Sequence, residues 1–542
     1  MIGNRWRLTG ARIRRVVQLL ALALFVGLLL ATRIRGGEGP PGAVKLFFWL
    51  DPLVLAATFL AAHAVPLMCL LALATVAATL LLGRVFCGWV CPLGTIHDIA
   101  GRTIDFVRGK RPGNEHFSRW QRAKYYLLAA FAVMTLLGAH WVTIFDPLVL
   151  LYRSITAALL PGFQWAVEEA STVIYRTDPG IGSARVTAIT EPAYRFLRDG
   201  IFAVQRQSFE GAWLILVVFA AVVGMNALRR RWWCRYICPL GAMLGALSIR
   251  PLLRRRVDAG RCTGCDLCSA GCHGAAATEE PAAWKPAECM LCLNCTEACR
   301  RSGLAFTAGW PWQARTQAQR LDISRRALVA SAAGGLAGLW LVRSSPLARG
   351  NTYNPSLVRP PGARAEREFL QRCTACGMCI KVCPTGGLQP ALGEAGLEGL
   401  WTPRLVPQIG HCEYNCTLCG QVCPTGAIAA LSVEEKHKVR IGLAAFDVRR
   451  CIPYAYGRDC MVCEEHCPIP DKAIFFVDAV VQDHDGARRT VKQPRVDPSR
   501  CIGCGICEHV CVFKDRPAVR VFSANESRHP DNQPILGEPS PY

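Results

Sequence analysis

The sequence predicts a polytopic α-helical membrane protein with appended α+β domains of the bacterial [4Fe-4S] ferredoxin type. Three observations predict it. The 542-residue chain is 51% hydrophobic and only 19% charged, with its apolar residues gathered in long runs. It holds 29 cysteines, most of them in groups spaced C-x2-C-x2-C-x3-C. Its basic residues stand in short clusters beside the apolar runs, the positive-inside pattern of a bilayer protein. The net charge of +22 therefore reflects membrane topology, with membrane lipid as the expected contact and no nucleic acid as partner.

The first apolar run, "VVQLLALALFVGLLLAT" (16–32), follows Arg5, Arg7, Arg12, Arg14 and Arg15 and reads as an uncleaved anchor with a cytoplasmic N-terminus. Further runs at 50–83, 124–142 and 212–228 each approach the roughly 20 residues of a helical crossing. The 50–83 run is too long for one simple span, so a short interfacial helix is expected before it crosses. An internal repeat joins these pieces. "FFWLDPLVLAA" (47–57) and "TIFDPLVLLY" (143–152) each open a half that closes on C-x3-C-P, in "GRVFCGWVCPLG" (83–94) and "RWWCRYICPLG" (231–241). Counting crossings puts both D-P-L elements outside and both C-x3-C-P motifs inside, so the halves are parallel repeats about an axis along the membrane normal.

Residues 1–250 thus form a membrane domain, within which 153–210 is an external insertion whose sequence says little. Residues 251–305 read as a cytoplasmic two-cluster domain. A fifth span is expected within 320–345, on "SRRALVASAAGGLAGLWLV" (324–342). Its Ser324-Arg325-Arg326 start either supplies positive-inside charge or marks a twin-arginine export signal. A Pro/Gly/Arg-rich linker (346–369), a four-cluster domain on the periplasmic side (370–520) and a disordered tail (521–542) complete the chain. The expected location is a bacterial inner (cytoplasmic) membrane, crossed several times.

Cysteine arithmetic carries the chemistry. Thiolates at these spacings wrap an iron–sulfur cube, with the fourth of each group serving the other cube of a pair. In 251–305, Cys262, Cys265, Cys268 and Cys299 should hold one cube, and Cys289, Cys292, Cys295 and Cys272 the other. The last domain offers four further groups. They are Cys373, Cys376, Cys379 and Cys383; Cys412, Cys416, Cys419 and Cys423; Cys451, Cys460, Cys463 and Cys467; and Cys501, Cys504, Cys507 and Cys511. Six [4Fe-4S] clusters follow, with the pairing in the last domain left open between sequential and nested. Disulfides fit this spacing poorly, and once the four cysteines of the two C-x3-C-P motifs are counted only Cys69 is left over.

The four remaining cysteines, Cys87, Cys91, Cys234 and Cys238, come two from each half. A proline after the second cysteine favours a new helix there, placing the thiols at a helix N-terminus, where the dipole favours thiolate. The repeat axis would bring all four together as a seventh metal centre, either an iron–sulfur cluster or a copper or dithiol site, with purely structural thiols as the plain alternative. Asp51-Pro52 and Asp146-Pro147 match the way helices begin, with Asp at the N-cap and Pro at N1. As ionisable groups near membrane depth, they are also candidates for a quinol site, together with His63 and His140.

Residues 1–300 resemble the NapH/MauN ferredoxin-type membrane proteins through "DPL", "GRVFCGWVCPLG", "WWCRYICPLGA" and the cysteines of 262–299. Residues 324–515 resemble the NapG/MauM periplasmic ferredoxins through the twin-arginine start and four cluster groups. The resemblance implies a fusion of two usually separate subunits that carries electrons from the quinone pool to a periplasmic redox protein or reductase. Cys87, Cys91, Cys234 and Cys238 match the family's membrane motif. Two rival classes remain: a copper- or metal-reducing accessory protein, and a redox-sensing assembly or regulatory factor. No nucleophile–base constellation or nucleotide loop appears, so any enzymatic activity is confined to quinol oxidation.

Overall fold

The computed structural model describes residues 10–33, 39–109, 113, 115–178, 180–181, 184–202, 206–278, 283–309, 323–347, 354–482 and 488–528. The tail from residue 529 and the linker residues 348–353 lie outside this set, as do Arg5 and Arg7. The chain divides into two units, one of Met1–Ala31, Ala43–Ser154 and Leu214–Leu341, the other of Thr32–Gly42, Ile155–Trp213 and Val342–Tyr542.

The first unit is helical, and its repeat is visible in its caps. Asp51 caps helix Pro52–Ala62, its side chain accepting from the Leu53 N–H at 2.8 Å. Asp146 does the same for helix Pro147–Ser154, accepting from Leu148 at 2.8 Å and Val149 at 3.0 Å. Each half then ends on a cysteine-capped helix with proline at its first position, Pro92–Val107 after Cys91 and Pro239–Leu247 after Cys238. Proline's missing N–H costs nothing where the helix has no acceptor to offer it. Cys87 lies in a short π-helix, Phe86–Val90, a wider turn that recurs at functional sites.

The expected set of five unbroken crossings is not found, and a polytopic, multi-pass arrangement is unsupported. Among the described residues, only helix Gly10–Ala31 is long and apolar enough to cross a membrane. Gly42–Trp49 and Pro52–Ala62 would add a second only as one span bent by 86°. Local breakers explain the shortfall. The 50–83 run is divided by His63 in a left-handed conformation (φ 52°) and by Pro66. The 124–142 run yields a helix of 14 residues, Ala123–Leu136, stopped before Gly138 at φ 86°. The 212–228 run turns 3₁₀ after Gly224. Helix Arg325–Arg343 has the length, but it opens on two arginines and carries three glycines and a serine.

The rest of the first unit is a small α+β domain in which strand Leu253–Val257 pairs antiparallel with Leu304–Ala308 around the cysteines of 262–299. Among the described residues the second unit builds four more antiparallel pairs: Gly180–Ile181 with Ala184–Arg185, Leu388–Pro390 with Pro403–Leu405, Leu443–Phe446 with Val519–Phe522, and Ile474–Gln482 with Arg488–Val496. Short helices carry the cysteines between them. The insertion belongs to this unit. Gln207 Nε2 donates to the Cys383 carbonyl at 3.2 Å, and the Glu210 N–H donates to Gln389 Oε1 at 2.9 Å.

Candidate iron–sulfur centres

Five fourth cysteines, Cys272, Cys383, Cys423, Cys467 and Cys511, lie beside the cysteines of a neighbouring group. In the first unit, Cys272 lies within electrostatic reach of Cys289, Cys292 and Cys295. In the second, Cys423 joins Cys373, Cys376 and Cys379, while Cys383 joins Cys412, Cys416 and Cys419. Cys511 joins Cys451 and Cys460, and Cys467 joins Cys501 and Cys504. The pairing is therefore sequential, first group with second and third with fourth.

Three of these sets frame apolar cavities. Cys383, Cys412, Cys416 and Cys419 line one with Pro360, Leu388 and Leu405. Cys467, Cys501, Cys504 and Cys507 line a second, and Cys451, Cys460, Cys463 and Cys511 a third. Burial pushes these thiols up, Cys412 to about 11 and Cys451, Cys463 and Cys504 to about 12, with neighbouring cysteines adding to the rise. Crowded buried thiols become thiolates only against a compensating cation, so the donor sets fit an iron–sulfur cube. All the cysteines are free of disulfide bonds.

The sets also stand in series. Cys379 lies near Cys419, Cys412 near Cys504, and Cys507 near Cys463. The Cys412 N–H donates to the Cys504 carbonyl at 2.8 Å, tying the second set to the fourth. His411 and His509 face each other at the same junction, 5.2 Å between ring centres. The order through space is thus first, second, fourth, third.

The two C-x3-C-P motifs meet in the first unit. All four thiols are buried, and Cys238 lies within electrostatic reach of Cys234, Cys87 and Cys91. Beside them runs the loop of the 289 set: Trp89 Nε1 donates to the Leu291 carbonyl at 2.9 Å. Gly88 is required there, since a Cβ would sit 2.0 Å from the Met290 carbonyl oxygen. Arg231 clamps the same junction, donating to the Cys87 carbonyl and to Met290 Sδ, both at 3.0 Å, and to both oxygens of Asp98 at 2.7 Å. Burial alone would raise the Asp98 carboxyl; Arg231, His273 and Arg14 outweigh it and hold Asp98 well below the usual carboxylate range. This network escapes a cysteine count. Its sequence signal is an arginine three residues before the first cysteine of each motif, Arg84 and Arg231.

The quinol-site candidates separate. Asp51 and Asp146 are fully buried and close enough to interact, each with one carboxyl oxygen left without a hydrogen-bond partner among the described residues. His140 is buried and precedes Asp146 by one 3₁₀ turn segment, His140–Phe145, with Nδ1 3.2 Å from Thr143 Oγ1. His63 is exposed at the far end of an 11-residue helix, about 18 Å along the axis from Asp51.

A family model described as "4Fe-4S binding domain" matches residues 64–114 and 211–258, the two segments that hold the C-x3-C-P motifs. A second model of the same description matches 370–389 and 494–511. The ferredoxin-type protein NapG of Escherichia coli is 35% identical over 201 residues, covering 36% of this chain and 82% of NapG. The methylamine utilization ferredoxin-type protein MauM of Methylorubrum extorquens is 35% identical over 30% of this chain and 72% of its own length. The chain belongs to the NapG/MauM family of ferredoxin-type proteins. It is an iron–sulfur electron-transfer protein by that membership, and the NapG/MauM likeness accounts for about a third of it. A putative electron transport protein of E. coli, YccM, is 23% identical over 42% of this chain. No solved structure matches.

Proposed function

We propose that this NapG/MauM-type protein oxidises quinol at a membrane and conducts the electrons, through six [4Fe-4S] cubes and a seventh centre on Cys87, Cys91, Cys234 and Cys238, toward a periplasmic redox partner. The observation that carries the reading is the serial order of the four four-cysteine sets of the second unit. A bound cube supplies reversible one-electron exchange; the chain's residues fix where the cubes stand and keep water from them. Helix Gly10–Ala31 provides the membrane attachment. Quinol oxidation releases two electrons and two protons, and Asp51 with Asp146 supplies proton acceptors. Two carboxyls this close in apolar surroundings do not both carry charge, so the pair holds and exchanges a proton.

The test is reduction of the anaerobically purified, iron-loaded protein by a quinol analogue. Asp51→Asn keeps the helix cap, because asparagine caps as well as aspartate, but removes the acceptor. Cluster reduction by quinol should slow by about a hundredfold while reduction by dithionite is unchanged. Equal quinol rates in both proteins would leave Asp51 as a cap alone. Cys87→Ser and Cys234→Ser should each abolish the same spectroscopic signal, and the double variant should lose no more, because ligands of one centre act as a unit. Loss of two different signals would mean two separate sites.

A further inference from the structure

The two C-x3-C-P motifs extend to a longer repeat, Arg84-x2-Cys87-x3-Cys91-Pro-Leu-Gly94 and Arg231-x2-Cys234-x3-Cys238-Pro-Leu-Gly241. In space the repeat is crossed. A Cβ added to Gly94 would lie 3.5 Å from Arg231 Nη1, and one added to Gly241 would lie 2.8 Å from Arg84 Nη2. Each arginine therefore lies over the glycine of the opposite half, in ordinary contact distance of Gly94 and so close to Gly241 that a side chain there would press on the Arg84 guanidinium. The same Gly241 position is 3.4 Å from Cys238 Sγ, a thiol of the other half that is within electrostatic reach of Arg84. Arg84 also lies within electrostatic reach of Cys87, and Arg231 of Cys91 and Cys234.

Both arginines are fully buried, at 0% and 1% exposure, and their neighbourhoods are short of negative charge. Arg84 and the equally buried Lys124 share one carboxylate, Glu288, at 3.4 Å from the Arg84 Nη1. Arg231 and the buried Arg14 share one carboxylate, Asp98. Each side thus keeps a surplus positive charge, and Arg84 Nε and Nη2 have no hydrogen-bond partner among the described residues. Burying uncompensated cations costs several kcal/mol each, so an anion belongs between them. Four thiolates around an oxidised cube carry a net charge of about −2, matching one surplus cation on each side.

We propose that Arg84 and Arg231 are the charge-balancing residues of a four-thiolate centre on Cys87, Cys91, Cys234 and Cys238, raising its reduction potential from across the repeat. This rests on the shared-centre reading above. Arg84, with its uncommitted N–H groups, donates toward the thiolate sulfurs. Arg231, committed to Asp98, acts through its charge and by holding the Cys87 carbonyl. Positive charge and N–H donors at sulfur both favour the reduced, more negative state.

The experiment is a redox titration of the full-length, iron-loaded protein, following the signal that Cys87→Ser removes, with iron content and the signals of the other cubes as controls. Arg84→Gln should weaken reduction of that centre at least tenfold, a fall of about 59 mV for one electron. Arg84→Lys, which keeps the charge, should recover part of the fall. An unchanged midpoint in Arg84→Gln with the signal intact overturns the proposal. If Arg84→Gln loses the centre while the other cubes persist, restoration by Arg84→Lys supports charge balance, and failure to restore it assigns Arg84 to packing and overturns the proposal. If Cys87→Ser removes no signal from the wild type, the shared centre itself is wrong, an outcome separate from any effect of the arginines.

Discussion

Cys383 and Cys423 show how little a residue's place in the sequence says about its neighbours. Each closes its own C-x2-C-x2-C-x3-C or C-x3-C-x2-C-x3-C group, yet each lies among the first three cysteines of the other. Cys383→Ser should therefore perturb the same spectroscopic signal as Cys412→Ser, and Cys423→Ser the same signal as Cys373→Ser. Matching of Cys383→Ser with Cys373→Ser would contradict the exchange. Glu366 makes a second residue-scale case. Its side chain receives Arg359 at 2.6 Å and Arg528 at 2.7 Å. Burial would raise this carboxyl, but the two guanidinium groups prevail and draw it down to about 2 from an ordinary 4.5. A folded value below the unfolded one means that the stabilisation is complete above pH 4.5 and is lost as pH falls from there toward 2. Glu366→Gln should lower stability at pH 7 by on the order of 3 kcal/mol. In denaturant titrations the gap from wild type should narrow as pH falls from 4.5 toward 2, and a gap that stays constant across that window would remove the assignment.

At the scale of elements, close backbone approach decides what can change. The π-helix Phe86–Val90 packs so tightly on the 289 loop that Gly88→Ala must displace the Met290 carbonyl. We expect a loss of about 1–3 kcal/mol and disturbance of the C-x3-C-P and 289-set signals together. Gly27, in helix Gly10–Ala31, has nothing within 4 Å of its Cβ position, so Gly27→Ala is the control and should be neutral or slightly stabilising. Equal losses in both variants would show that the packing at Gly88 is not the cause. The paired caps were legible at this scale: an aspartate before Pro-Leu predicts a helix start, and both starts are present. Helix lengths were not. Hydropathy averaged over a window ignores the left-handed turn at His63 and the break at Pro66, both of which end hydrogen bonding within an unbroken apolar stretch.

On the scale of the whole molecule, six cubes and one shared centre together call for about 24 to 28 irons per chain. Iron and sulfide analysis of anaerobically purified protein should return that range, and a result near 12 would halve the proposed set. Membrane attachment through one strong helix predicts that deleting residues 1–31 releases the protein from membranes; retention would require a further hydrophobic contact. Replacing Arg325 and Arg326 by lysine tests the export reading. A reporter fused after Tyr542 should then lose its periplasmic activity, and unchanged activity would leave only positive-inside charge.

The sequence by itself determined the chemistry: cysteine spacing, the prolines behind Cys91 and Cys238 and the duplicated D-P-L elements are local features, set by what a loop or a helix start can do within ten residues. Only the tertiary structure decided which groups exchange their fourth cysteine, the order first, second, fourth, third, and the docking of residues 155–213 with the second unit. It alone placed Arg84 and Arg231 against the opposite half of the repeat. These depend on contacts between residues tens to hundreds of positions apart, formed by burying charge and apolar surface, and a spacing pattern carries no record of them.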